Sequence, residues 1–135
     1  MSSNTMSNTN WFARLCGLFF GEPFSEGVRL YRRQDKPRRY EYDPRVVVRQ
    51  LNTEDIKNRL LAAGIVEDYG FTRVRMTPGA IKLEGPLYSP GIPLIIQLLK
   101  SGGARLVIPH FAEHARDWNR FALALGEILR APKKH

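Results

Sequence analysis

A chain of 135 residues and 15.5 kDa suits a single domain whose core needs no covalent staples, and 43% hydrophobic with 25% charged residues is a globular composition. The lone cysteine, Cys16, excludes an internal disulfide and a cysteine-built zinc site, and no apolar run approaches the roughly 20 residues of a spanning helix. The net charge of +8, with a pI of about 10.1, is the departure from the ordinary: it favours encounters with polyanions such as nucleic acid or an anionic membrane.

Residues 1–10, MSSNTMSNTN, are polar and repeat Ser-Asn-Thr, the composition of a disordered tail. They carry no Lys or Arg, so no charged start of a signal peptide is seen; with the single cysteine this makes a cytoplasmic protein the expectation. In WFARLCGLFF, Trp11, Phe12, Leu15, Leu18 and Phe19 fall at helical spacing. A short helix docked on the domain is the plainer reading. A helix that docks on a partner or rests at a membrane interface through Trp11, Phe12, Leu15 and Phe19 is the sharper one. After the breakers Gly21, Pro23 and Gly27, residues 28–33 alternate, with Val28 and Leu30 on one side and Arg29, Tyr31 and Arg33 on the other. The Gln-Asp-Lys-Pro turn signal then returns the chain as a second strand from Arg38 to Tyr42. Val46-Val47-Val48, after Pro44, reads as a buried strand.

A helix over residues 53–63 is well marked. Asn52 is the N-cap, Glu54 and Asp55 lie in the first turn, Leu51 and Ile56 have staple spacing, and Gly64 suits the left-handed position beyond the end. FTRVRMTPGAIKLEG reads as two strands turning at Pro78-Gly79, with Val74, Met76, Ile81 and Leu83 toward the core. SPGIPLIIQLLKSGG reads as a second helix, capped by Ser89, with Pro90 in its first turn and Gly102 or Gly103 as its stop. ARLVIP is a short strand. A last helix, about 112–130, carries the stripe Phe111, Ala115, Trp118, Ala122, Leu125 and Leu129, widened by Phe121 and Ile128, before the basic residues at 132–135. The expected fold is thus α+β: a ferredoxin-like βαββαβ core over about 45–110, extended by an N-terminal helix and basic hairpin (11–44) and a C-terminal helix, as one domain from 11 to 131.

Little in the chain supports catalysis. His110-Phe111-Ala112-Glu113-His114 resembles the inverted zinc-protease signature, whose two histidines bind zinc from one helical face. Here His110 follows Pro109 at a strand end, ahead of the helix, and such families need a much larger domain; no metal is assigned. Cys16 lies in an apolar segment that would keep its thiol inert. The Ser-Gly-Gly at 101–103 closes an element, whereas a phosphate cradle opens one. VVVRQL (46–51) is similar in shape to the first-strand signature of the RNA-recognition motif but lacks its aromatic, and AIKLEG (80–85) has none. RLLAAGIVEDYGFTRVRMTPG (59–79) resembles the helix-then-wing part of the winged-helix family, without the two helices that precede it there. No residue is assigned from either resemblance, and no catalytic residue, cofactor or metal is expected.

What remains is charge placement. Residues 29–49 hold eight cations against three acids, a net +5 of the +8, and seven of the eight are arginine. Arginine's planar fork suits bidentate phosphate contact, and tyrosines can stack on bases. The expected nucleic-acid-binding set is Arg29, Tyr31, Arg32, Arg33, Lys36, Arg38, Arg39, Tyr40 and Arg45, with Tyr42 a further stacking ring and Arg73, Arg75 and Lys82 extending the patch if their hairpin faces the same way. The expected function is a non-enzymatic, nucleic-acid-binding accessory protein, for DNA or RNA, acting mainly through backbone electrostatics. The alternative is an adaptor or scaffold subunit. It would dock through the N-terminal aromatic helix and the C-terminal helix onto a protein partner, a second copy or a membrane periphery. A third reading gives a free sheet face to a small ligand.

Overall fold

The computed structural model describes residues 21–33, 36–49, 51–85, 93–109, 112 and 116–130. The expected tail and aromatic helix (1–20), the Ser89 cap with Pro90, the histidine motif apart from Ala112, and the basic end at 132–135 lie outside these residues.

Seven strands form one antiparallel sheet: β1 (Glu22–Ser25), β2 (Val28–Arg33), β3 (Lys36–Tyr42), β4 (Arg73–Thr77), β5 (Ala80–Glu84), β6 (Leu94–Leu98) and β7 (Ala104–Ile108). Their spatial order is β1-β2-β3-β7-β6-β5-β4, two meanders joined where β3 pairs β7. Among the described residues three helices complete the fold: α1 (Thr53–Ala63), α2 (Ile65–Asp68) and α3 (Trp118–Arg130). Among the described residues no helix is long and apolar enough to cross a membrane.

This α+β arrangement is mostly sheet and overturns the ferredoxin-like βαββαβ expectation. Two elements account for the difference. Residues 94–98 are a strand rather than a helix. Leu94 and Ile96 are 0% and 1% exposed, while Ile95 and Gln97 face the other side. A central strand with apolar side chains on both faces reads as a nearly unbroken apolar run, the pattern of a buried helix, and its adjacent β-branched isoleucines favour the extended form. The glycines expected to stop a helix instead close the β6–β7 hairpin, where Gly102 N–H donates to Leu99 O (2.9 Å) and Leu99 N–H to Gly103 O (2.8 Å). Residues 46–48 are not a strand either. The Asp43 carboxylate accepts the Arg45 backbone N–H at 2.8 Å, and the Val46 N–H returns to Asp43 O at 2.9 Å, so the chain turns. Val47 is then a buried peg, and Val48 N–H donates to Leu129 O at 2.9 Å.

The basic hairpin is also no appendage. β3 is a middle strand, in register with β7 from Arg38↔Ile108 to Tyr42↔Ala104. One sheet face carries Val28, Leu30, Tyr40, Tyr42, Ile81, Leu83, Leu94, Ile96, Ala104, Leu106 and Ile108, all buried together with Ile56 and Leu60 of α1 and the apolar side of α3. That side of α3, with Trp118, Phe121, Ala122, Leu125, Ile128 and Leu129, spends the expected seam on the molecule's own core. Met76 shares this sheet face but is 39% exposed, because β4 is an edge strand at the limit of the helical cover.

α1 forms as its local signals require. Asn52 accepts the Asp55 N–H, Asp55 reciprocates to the Asn52 N–H, and Gly64 ends the helix at φ 75°. Leu51 and Ile56 are both buried.

Candidate nucleic-acid interface

Directly opposed residues of an antiparallel pair project to the same side, and side chains alternate along each strand. The register therefore builds the face that no described helix covers, row by row. One row runs Tyr31–Arg39–Val107–Ile95–Lys82–Arg75 across six strands. Its neighbour runs Arg29–Glu41–Arg105–Gln97–Ala80–Thr77, and Glu84 opposes Arg73 in a third. Among the described residues these rows hold six cations (Arg29, Arg39, Arg73, Arg75, Lys82, Arg105) and two carboxylates (Glu41, Glu84).

The two carboxylates organise rather than cancel this charge. Glu41 Oε2 lies 2.8 Å from Arg39 Nε and accepts the Arg105 Nε–H at 3.0 Å. Glu84 accepts from Arg75 at 2.8 Å and approaches Arg73 at 3.8 Å. Ion pairs this open to solvent on the arginine side contribute little stability. They hold guanidinium planes in set orientations while leaving a net positive face. The Arg39 guanidinium carbon sits 4.4 Å from the centroid of the Tyr31 ring. Burial, and then the Glu41 charge, push the Tyr31 phenol above its usual value against the opposing pull of Arg39, Arg29 and Arg105, so the ring stays neutral at physiological pH. Val107 and Ile95 form a half-buried apolar strip between the cationic ends of the first row.

The structure divides the nine residues expected from sequence. Arg29, Tyr31 and Arg39 share the face that no described helix covers, and Arg73, Arg75 and Lys82 join them, since their hairpin does face the same way. Arg38 and Tyr40 project to the helical side, opposite Ile108 and Leu106. Tyr40 is 0% exposed, with its hydroxyl on Asn119 Oδ1, and Tyr42 is buried with its hydroxyl on Ala122 O; neither ring is available for stacking. Arg32 pairs with Glu22 at 3.3 Å on the β1 edge, and Arg45 is chelated by Asp43 in the turn after β3. Arg33 and Lys36 are register partners at the hairpin tip. The docking set Trp11, Phe12, Leu15 and Phe19 lies outside the described residues.

Sequence reasoning missed Arg105. Its signal was present in Ala-Arg-Leu-Val-Ile, where alternation alone sets Arg105 and Val107 against the buried Ala104, Leu106 and Ile108. A shallow hollow of about 430 Å³ lies at the Arg29 end of the face, lined in part by Tyr31, Glu41, Asp43, Arg45 and Ser101, a lining of mixed sign. Among the described residues, no three His, Cys, Asp or Glu side chains gather as metal ligands. No protein-family model, curated protein or solved structure matches the chain.

Proposed function

We propose that this protein binds nucleic acid through the helix-free face of its sheet, as a non-enzymatic cytoplasmic accessory protein. The observation that supports this reading is the register itself: six cations, two carboxylates and Tyr31 project together from a face that no described helix covers. Five of the six cations are arginine, whose fork suits phosphate oxygens in pairs. Phosphate contact of this kind releases counterions, so affinity falls with salt in proportion to the number of phosphates neutralised.

Fluorescence anisotropy of a labelled oligonucleotide across a salt series is the test. Removing Arg29 and Arg105 together is expected to flatten the slope of log affinity against log salt by about 1.4 for a single strand, roughly 0.7 per contact. Arg32→Ala with Arg120→Ala, on the β1 edge and the exposed side of α3, leaves the slope unchanged. Salt-independent binding, no binding, or retention on anionic vesicles but not on oligonucleotides overturns the reading.

A further inference from the structure

Resting on that reading, we propose that the ligand is single-stranded nucleic acid, one of whose bases stacks on the guanidinium plane of Arg39. Tyr31 is the one aromatic of the described helix-free rows, yet its ring is not a vacant platform. The Arg39 guanidinium lies over it at 4.4 Å, and a Cβ added at Gly21 would fall 2.8 Å from its ring carbons, so that backbone already rests on the ring. The Arg39 side chain keeps 36% of its surface open to solvent, although its Nε is buried beside Glu41. The Tyr31 ring lies 4.4 Å from the guanidinium carbon and the Glu41 carboxylate 2.8 Å from its Nε, an ion pair without a hydrogen bond; together these contacts limit the side-chain freedom lost on binding. Guanidinium planes stack on unpaired bases as aromatic rings do.

The rest of the row extends the argument from one base to a strand. Beside Arg39 come Val107 and Ile95, then Lys82 and Arg75. Six strands at about 4.8 Å spacing make a track of roughly 24 Å, long enough for a few nucleotides. Its centre is apolar and suits base faces, while its far end and the flanking Arg105 and Arg29 suit phosphates. In a duplex the base faces are stacked inside and only phosphates and groove edges remain, so Val107 and Ile95 would meet nothing they can desolvate. An unpaired strand matches both chemistries of the row.

The test compares three probes on the full chain, each at a low and a high salt concentration: a 12-nucleotide single strand, its duplex, and an abasic single strand of equal length. The base-bearing strand is expected to bind about tenfold tighter than the abasic one, the effect of a stacked base. Arg39→Lys keeps the charge but loses the plane. It should erase most of that margin while leaving abasic affinity unchanged, and Arg32→Lys should change neither. Ile95→Thr, which shortens the apolar strip without touching the ion pairs, narrows the margin independently and serves if Arg39→Lys does not fold by thermal melting. Duplex binding as tight as single-strand binding, or a base-dependent margin that survives a folded Arg39→Lys (or Ile95→Thr where that variant does not fold), overturns this inference while salt-dependent binding persists. Absence of salt-dependent binding to all three probes overturns the parent reading instead.

Discussion

Three tyrosines of the basic hairpin illustrate how position decides the role of a side chain. Tyr31 projects from the face that no described helix covers, while Tyr40 and Tyr42, on the opposite side of the sheet, are core residues bonded to α3. Tyr42 donates its hydroxyl to Ala122 O at 2.7 Å. Burial, reinforced by the neighbouring Tyr40 and opposed by Arg130, pushes its phenol well above the ordinary value. A folded-state value raised above the unfolded value of about 10 means that the contribution to stability is complete below that pH and is lost as pH rises beyond it. Urea midpoints for Tyr42→Phe should thus show a loss of about 1 kcal/mol at neutral pH, from the deleted hydrogen bond. They should also show a shallower decline than the parent protein above about pH 10. An equally steep alkaline decline in the variant would assign that titration elsewhere. The alternation of residues 28–33 placed Tyr31 with Arg29 correctly from sequence, whereas the fates of Tyr40 and Tyr42 depended on which side α3 covers.

Elements whose signals are local were legible. Asn52, Asp55 and Gly64 act within one helix, and the helix stands at Thr53–Ala63, the span those signals predict. Asn52→Ala should cost about 1 kcal/mol in denaturant unfolding, since it removes one half of a reciprocal cap. The Pro78-Gly79 hairpin likewise followed from its turn residues, with Arg75 opposite Lys82 and Met76 opposite Ile81. Elsewhere a glycine is required by the close approach of another backbone segment rather than by its own turn. A Cβ at Gly85 would fall 2.4 Å from the Gly70 carbonyl oxygen, where the end of β5 passes the start of β4. Gly85→Ala should lower the unfolding midpoint by the equivalent of about 1–3 kcal/mol, the range for forced overpacking, and a neutral result would mean that this backbone crossing relaxes freely. Residues 94–98 show the limit of local reading: five apolar-rich residues satisfy a helix and a central strand equally, and only pairing with β5 and β7 chooses between them.

At the scale of the molecule, the β3–β7 ladder joins the two meanders into one sheet. The hairpin supplies Leu30, Tyr40 and Tyr42 to the common core, so it is a structural half of the fold as well as part of the candidate interface. Deleting residues 21–42 should abolish the cooperative thermal transition of the remainder, because β7 would lose its β3 partner and become an edge, and Leu106 and Ile108 would lose part of their cover. A remainder that still melts cooperatively would indicate a hairpin merely docked on an independent domain. Removing the Leu106 side chain with alanine, at a position 0% exposed where β3, β6 and β7 meet, tests the same junction more gently and should cost about 2–5 kcal/mol.

By itself the sequence determined the features that act over a few residues: the alternation of β2, the capped α1, the turn at Pro78-Gly79, the apolar stripe of α3 and the concentration of arginine in residues 29–49. Tertiary structure decided what those features do together. Strand order and register turned a linear run of cations into two sides of a sheet, buried two of its tyrosines, and brought Arg105 from β7 to share Glu41 with Arg39. The physical reason is the period of two along a strand. Once the helices claim one face, each register pairing sends a side chain either to the core or to the open side, and that assignment involves residues more than sixty positions apart in the chain.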